Sequence, residues 1–276
     1  MPDDAELRAA VTAELAALTA TGGPLAPDSA RATYKVFEDD PRRARVRKQI
    51  VSEFLDAPGL PVRVGTAAVI TAGAAGAGKS TAIKAVLGAS RSDYRRLDAD
   101  DVKDHLLTDA LETGLFDDLL SRTLPDGRPI APRELAALVH HESTQIWDAL
   151  WRHCIGRGEQ LIIEGTLSWP PLGAILLREL QAGGYTTVRV VAVDVPESVA
   201  QQRAIDRWWP IRSANTDPLG GRFTPPDVIA SAYLLDGTCI CTVNAAALIG
   251  PGGQIPQGLT VTVDVVNEFG TVTRRS

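Results

Sequence analysis

The chain has 276 residues, 45% of them hydrophobic, and a formal net charge of −6. That length and apolar content suffice for one substantial core with attachments, and the acidic balance argues against a nucleic-acid-binding surface, which needs a concentrated basic field. No apolar run approaches the roughly 20 residues of a membrane span, and Met1-Pro2-Asp3-Asp4 is acidic where a secretory signal is basic, so a cytoplasmic protein with no membrane partner is expected.

Asp4 to Thr19 carries Leu7, Val11, Leu15 and Leu18 at helical spacing, which predicts an amphipathic N-terminal helix. A Gly/Pro-rich loop, Thr21 to Pro27, leads to a charged stretch from Asp39 to Asp56 that again reads as helix. Its basic cluster (Arg42, Arg43, Arg45, Arg47, Lys48) reads as a solvated face balanced by Glu38, Asp39, Asp40 and Glu53.

From Thr66 strands and helices alternate. The strand Ala67 to Thr71 is followed by Gly73-Ala74-Ala75-Gly76-Ala77-Gly78-Lys79-Ser80, a complete G-x-x-x-x-G-K-S phosphate loop, and then by Thr81 and a helix through Leu87. Glycines let successive amides face the phosphates, Lys79 supplies positive charge, Ser80 a hydroxyl for magnesium, and the helix opening near Lys79 its N-terminal dipole. ATP with Mg2+ is the expected nucleotide. A second strand ends in Leu97-Asp98-Ala99-Asp100-Asp101. Alternation along a strand predicts that Asp98 and Asp100 share a face at its carboxyl end, one of them for an acceptor hydroxyl, while Asp100 or Asp101 is also suited to cap the following helix, Asp101 to Glu112.

Further on, the pattern predicts a long helix from Pro132 to Ile155, a strand Leu161 to Glu164 continuing into Gly165-Thr166, a helix Pro171 to Ala182, a strand Thr187 to Val195 and a helix Pro196 to Trp209. Such alternation implies a parallel sheet flanked by helices, with ligands at the carboxyl ends of its strands. Glu164 suits either a substrate pocket or a structural carboxylate. Arg203 and Arg207 lie one helical turn apart, and Arg222 follows in Leu219-Gly220-Gly221-Arg222, as in a mobile lid that neutralises a transferring phosphoryl group. The tail, Thr238 to Thr273, alternates apolar and polar residues and reads as a small β-hairpin.

Other chemistries are disfavoured. No N-K-x-D guanine motif is present, which argues against a GTPase switch. His140 and His141 point about 100° apart on a helix, poor geometry for joint metal binding. The three cysteines, Cys154, Cys239 and Cys241, are too few for a disulfide framework and read as reduced packing residues.

Taken together, the phosphate loop, the Asp98–Asp100 segment, Glu164-Gly165-Thr166 and the Arg207 to Arg222 segment ending Arg222-Phe223-Thr224-Pro225 resemble the zeta toxin family, in the right order from Val69 to Pro225. The resemblance implies a P-loop kinase that phosphorylates the sugar 3'-hydroxyl of UDP-N-acetylglucosamine, a nucleotide sugar, and an antitoxin partner. It implies Lys79 on the nucleotide phosphates, Asp100 as the base, and Arg207 and Arg222 on the transferred phosphoryl group. Asp148 stands where the family places a substrate glutamate, with Glu142 as a rival, and Thr166 matches a substrate threonine. The expected organisation is an N-terminal helical extension over 1–60, a kinase core over 61–236 with its lid around 207–225, and a β appendage over 237–276.

Overall fold

The structure, a computed structural model, describes residues 3–56 and 64–275; the expected boundary at 60/61 lies outside the described residues. The chain forms two compact units. One gathers Met1–Phe54, Ala99–Trp147 and Ala204–Asp227, the other Leu55–Asp98, Asp148–Arg203 and Val228–Ser276. The N-terminal helices therefore share a unit with segments of the expected core.

The second unit is built on a six-stranded sheet in the order β2-β3-β1-β4-β5-β6. Its members are β1 (Ala67–Ala72), β2 (Arg95–Asp98), β3 (Leu161–Glu164), β4 (Thr187–Asp194), β5 (Thr260–Asn267) and β6 (Val272–Arg275). The first five run parallel, and β6 alone is antiparallel. Ala-Ala-Val-Ile-Thr-Ala makes β1 the centre because a strand buried on both faces must be apolar throughout. Strand β1 pairs with β3 on one side and β4 on the other. Its carboxyl end therefore lies where the strand order changes direction, the usual position of a ligand crevice. Helices α4 (Lys79–Leu87), α8 (Pro170–Ala182) and α11 (Ile240–Ala247) flank the sheet.

Two expectations change here. Residues 237–276 do end in a hairpin, β5–β6, but β5 pairs with β4 along its whole length and belongs to the main sheet. The same segment contains α11, whose buried Cys241 and Ala245 are four residues apart, a helical period that the alternating reading of the tail hid.

In the first unit, α1 (Asp4–Thr19) is closed by a capping box between Asp3 and Glu6 and buries Val11, Leu15 and Leu18. Helix α5 (Ala99–Glu112) buries Val102, Leu106, Leu107 and Ala110, each apolar side chain of Leu size contributing about 1.5–3 kcal/mol. Short helices α2 (Thr33–Val36), α6 (Asp117–Leu120) and α10 (Pro226–Ala230) connect the longer ones. Helix α7 (His140–Gly156) starts later than expected, since Pro132–Leu135 forms a separate 3-10 turn. Helix α9 (Glu197–Ala214) runs through Pro210, where the sequence suggested a stop. An interior proline costs about 3 kcal/mol; Arg212 offsets it by anchoring the last turn, with Nη1 2.7 Å from Glu134 Oε2 and Nη2 2.7 Å from Asp126 Oδ1.

The basic cluster at the start of α3 (Arg43–Asp56) is solvated at Arg42, Arg45 and Lys48, as expected, but not at Arg43. Arg43 is buried and donates to both oxygens of the fully buried Glu142, at 2.7 and 3.0 Å, and to Asp109. Arg47 adds a bond of 2.8 Å to Glu142 Oε1. Burial alone raises the Glu142 carboxyl, but the two guanidinium groups override it and hold the group below the usual range. A carboxylate depressed in this way adds stability above its unfolded pKa, and the contribution is lost as pH falls through the lower folded value. Arg43→Met strands part of that charge and is expected to cost about 3 kcal/mol, read as a lower urea midpoint at pH 7. An unchanged midpoint would show that the pair gives no net stability.

Candidate active site

In the second unit the phosphate loop leaves β1 through three glycines with left-handed backbone: Gly73 (φ 147°), Gly76 (φ 80°) and Gly78 (φ 98°). A Cβ at Gly73 would also stand 3.2 Å from Val193 O, so the first glycine serves close strand packing as well as the turn. Gly78 hands directly to α4, whose first residues are Lys79, Ser80 and Thr81. Among the described residues the amides of Ala75 and Gly76 meet no backbone acceptor, while Ala77 N donates to Ala74 O at 3.2 Å. Unpaired amides beside a helix N-terminus form an anion cradle. The Lys79 ammonium lies across the loop and donates to Gly73 O and Ala74 O, both at 3.0 Å. The Ser80 side chain is exposed at the first turn, so its hydroxyl is available to a hard cation and fits the magnesium role.

A support that the sequence did not reveal is Thr71, buried on β1. Its hydroxyl donates to Gly165 O and accepts from Gly165 N, each at 2.9 Å, and Gly73 N donates to Thr166 O at 3.0 Å. Glu164-Gly165-Thr166 is thereby stitched to the start of the loop. Thr166 Oγ1 engages Ser168 at 2.9 Å in a local turn. Glu164 is buried, register-paired with Asp98, and both carboxylates share Arg96, whose Nε lies 2.5 Å from Glu164 Oε1. This is the satisfied arrangement of two structural carboxylates. Asp148 likewise serves its own helix, accepting from Trp151 Nε1 at 3.0 Å.

The first unit holds Asp100, Arg207 and Arg222. Strand β2 stops at Asp98 and α5 begins at Ala99, so Asp100 sits in a first helical turn and does not share a strand face with Asp98. Alternation failed because the helix starts two residues earlier than the sequence suggested. Asp100 Oδ1 accepts from Lys103 Nζ at 3.0 Å, and Arg222 Nε approaches Oδ2 at 3.5 Å. Burial tends to raise this carboxyl, but Lys103, Arg222 and Arg207 outweigh it and hold it well below the usual carboxylate range. Arg222 Nη2 donates to Asp100 O at 3.1 Å and Asp104 Oδ1 at 2.8 Å. Its Nη1 is buried and has no hydrogen-bond partner. A buried guanidinium N–H without a partner is costly in isolation.

The segment carrying Arg222 makes several contacts within the first unit. Arg133 Nη1 reaches Asp217 at 2.7 Å and Gly220 O at 2.8 Å, and its other nitrogens hold Asp104. A Cβ on Gly221 would meet Trp208 O at 2.4 Å, and Phe223 packs edge-on against Trp208 with ring centroids 5.0 Å apart. Arg207 is exposed. Glu142 is fully buried, with its carboxylate engaged by Arg43 and Arg47.

The family profile for zeta toxin matches residues 117–249. That segment, just under half of the chain, is similar to zeta toxin. The matched segment contains Glu142, Asp148, Glu164, Thr166, Arg207 and Arg222, whereas the phosphate loop and Asp100 precede it. Among solved structures, the chain resembles one from the PezAT chromosomal toxin-antitoxin system of Streptococcus pneumoniae, at 14% identity and TM-score 0.58, covering 83% of this chain and 79% of that one. It also resembles the AvrRxo1-ORF1:AvrRxo1-ORF2 complex with sulphate ions (13%, TM-score 0.54) and with ATP (14%, TM-score 0.53), each over 85% of this chain and 66% of that one. At these identities the likeness concerns the fold, a P-loop α/β architecture. No curated protein matches by sequence. Among the described residues no helix is long and apolar enough to cross a membrane, and no group of three or more His, Cys, Asp or Glu side chains is placed to hold a metal ion.

Thr71→Val keeps the shape of the side chain while removing both bonds to Gly165. It is expected to destabilise the protein by about 1–3 kcal/mol and to weaken ATP binding, measured by urea unfolding and calorimetric titration. Wild-type affinity in the variant would show that the stitch does not shape the loop.

Proposed function

We propose that this zeta-toxin-like chain is an ATP- and Mg2+-dependent phosphotransferase acting on a hydroxyl of a small molecule. The observation that carries the reading is the pairing of an ionised Asp100 with Arg222 and Lys103, in a chain that also bears a complete phosphate loop. Residues Gly73 to Thr81 would hold the triphosphate, with Lys79 exchanging its bonds to Gly73 O and Ala74 O for phosphate oxygens. Magnesium, on the Ser80 hydroxyl, would supply neutralisation of phosphate charge.

In the transfer the acceptor oxygen bonds to the γ-phosphorus, the bond from that phosphorus to the bridging oxygen breaks, and ADP leaves. The hydroxyl proton passes to Asp100. A carboxylate held below its usual range is a weak base, which is sufficient because the loose transition state gains most from alignment and charge neutralisation. Arg222 and Arg207 would supply that neutralisation.

A nucleotide sugar such as UDP-N-acetylglucosamine is the acceptor the family resemblance favours. A second reading, another metabolite or antibiotic hydroxyl, is favoured by the occupied state of Glu142, Glu164, Asp98 and Asp148, which leaves few of the expected sugar contacts open. The PezAT and AvrRxo1 neighbours are described as a toxin-antitoxin system and a two-protein complex, and an antitoxin partner is proposed on that likeness.

Purified protein incubated with ATP, Mg2+ and a panel of nucleotide sugars and other alcohols should yield one phosphorylated product by mass spectrometry. Only free phosphate with every acceptor would count against transfer. Asp100→Ala should lower transfer at least about a hundredfold with little change in ATP affinity; equal loss of both would make Asp100 a metal or structural group. Because Asp100 is already ionised, kcat should show no acid limb from this residue between pH 5 and 8, and a limb in that range that disappears in Asp100→Asn would contradict the assignment.

A further inference from the structure

Helix α11 takes no part in the chemistry above, yet one of its side chains reaches the segment that steadies the phosphate loop. Asn244 Nδ2 donates to Leu167 O at 2.9 Å and to Ser168 O at 3.0 Å. One residue before Leu167, Thr166 O accepts from Gly73 N, the first amide of the loop, at 3.0 Å. A single turn therefore lies between the Asn244 amide and the loop.

That turn has a backbone its sequence does not favour. Leu167 adopts φ 57°, in the left-handed region where a Cβ crowds the following carbonyl. Such a conformation persists only where the surroundings over-determine it. Here the Leu167 side chain is buried, Thr166 Oγ1 and Ser168 Oγ are 2.9 Å apart, and one amide nitrogen holds two successive carbonyls. Successive carbonyls of an extended chain point to opposite sides, so that last contact forms only on a bent one. Asn244 itself stands on a firm base. Cys241 and Ala245 are buried on α11, Tyr233 Oη on the approach to the helix donates to Val195 O at 3.1 Å, and a Cβ on Gly173 of α8 would meet Leu248 Cδ2, at the end of α11, at 2.8 Å.

We propose that Asn244 is a positioning residue for the phosphate loop: by holding Leu167 and Ser168 it keeps the left-handed turn whose Thr166 carbonyl fixes Gly73, and so sets the backbone that meets a polyphosphate. The proposal rests on the nucleotide reading of the loop. Asn244 grips the far end of the segment that Thr71 grips at Gly165, so the two residues act on one short stretch of chain.

The test is calorimetric titration of the full chain with ATP and Mg2+ and with inorganic tripolyphosphate. Asn244→Ala should weaken both about tenfold, the loss of a hydrogen-bond donor that serves two acceptors. Asn244→Asp keeps the shape of the side chain without its N–H donors and should weaken both at least as much, whereas a side chain that only fills space would leave that variant like the wild type. Combined with Thr71→Val, the loss from Asn244→Ala should fall short of the product of the two separate losses, because both act on the same segment. Wild-type affinities in Asn244→Asp, or losses that multiply in full in the double variant, overturn the positioning role and leave the phosphate loop standing. Wild-type protein that binds neither ATP nor tripolyphosphate overturns the loop reading itself. Should Asn244→Asp fold poorly, the cycle of Asn244→Ala and Thr71→Val decides alone.

Discussion

Burying a carboxylate is costly unless cations or hydrogen-bond donors stand against it, and in both units of this chain cations take that place at most of the buried acids. Glu142 is matched by Arg43 and Arg47, Glu134 and Asp126 by Arg212, Glu164 and Asp98 by Arg96, and Asp264 by Arg189 and Arg274. Each pairing joins residues far apart in sequence or fixes a strand end, so charge matching sets which helices and strands sit together. Removing one partner leaves an uncompensated buried charge, which costs several times more than an exposed pair contributes.

Against that background, the Asp100 cluster differs in one respect. Its cations exceed what the carboxylate needs: Lys103, Arg222 and Arg207 all bear on it, and one buried Arg222 N–H is left over. A structural ion pair has no use for surplus donors. Asp100 also keeps more of its side chain exposed than Glu164 or Glu142, which the sequence had set as substrate-binding candidates beside Asp100 as the base.

The local signals were readable because they are local. The phosphate loop, the apolar run of β1 and the capped, periodic α1 each carry their physics within a few residues. What escaped depends on distant partners. Arg43 looked solvated because Glu142 lies 99 positions away in sequence, and Thr71 looked like an ordinary strand residue because the group it holds, Gly165, lies 94 positions away. Pro210 seemed a stop because the ion pairs of Arg212 that carry α9 past it come from other segments. Asp100 was assigned its chemistry from the motif, but its placement on a helix and not a strand was lost in a two-residue error of boundary.

The lysine of the phosphate loop also sets a limit on affinity. Because its ammonium already satisfies two carbonyls of the same loop, an arriving phosphate competes with an internal solvent of backbone oxygens. The loop is preorganised, yet recognition there is a substitution reaction: tightness follows from the difference between two sets of partners, and small rearrangements of those carbonyls would tune it in either direction.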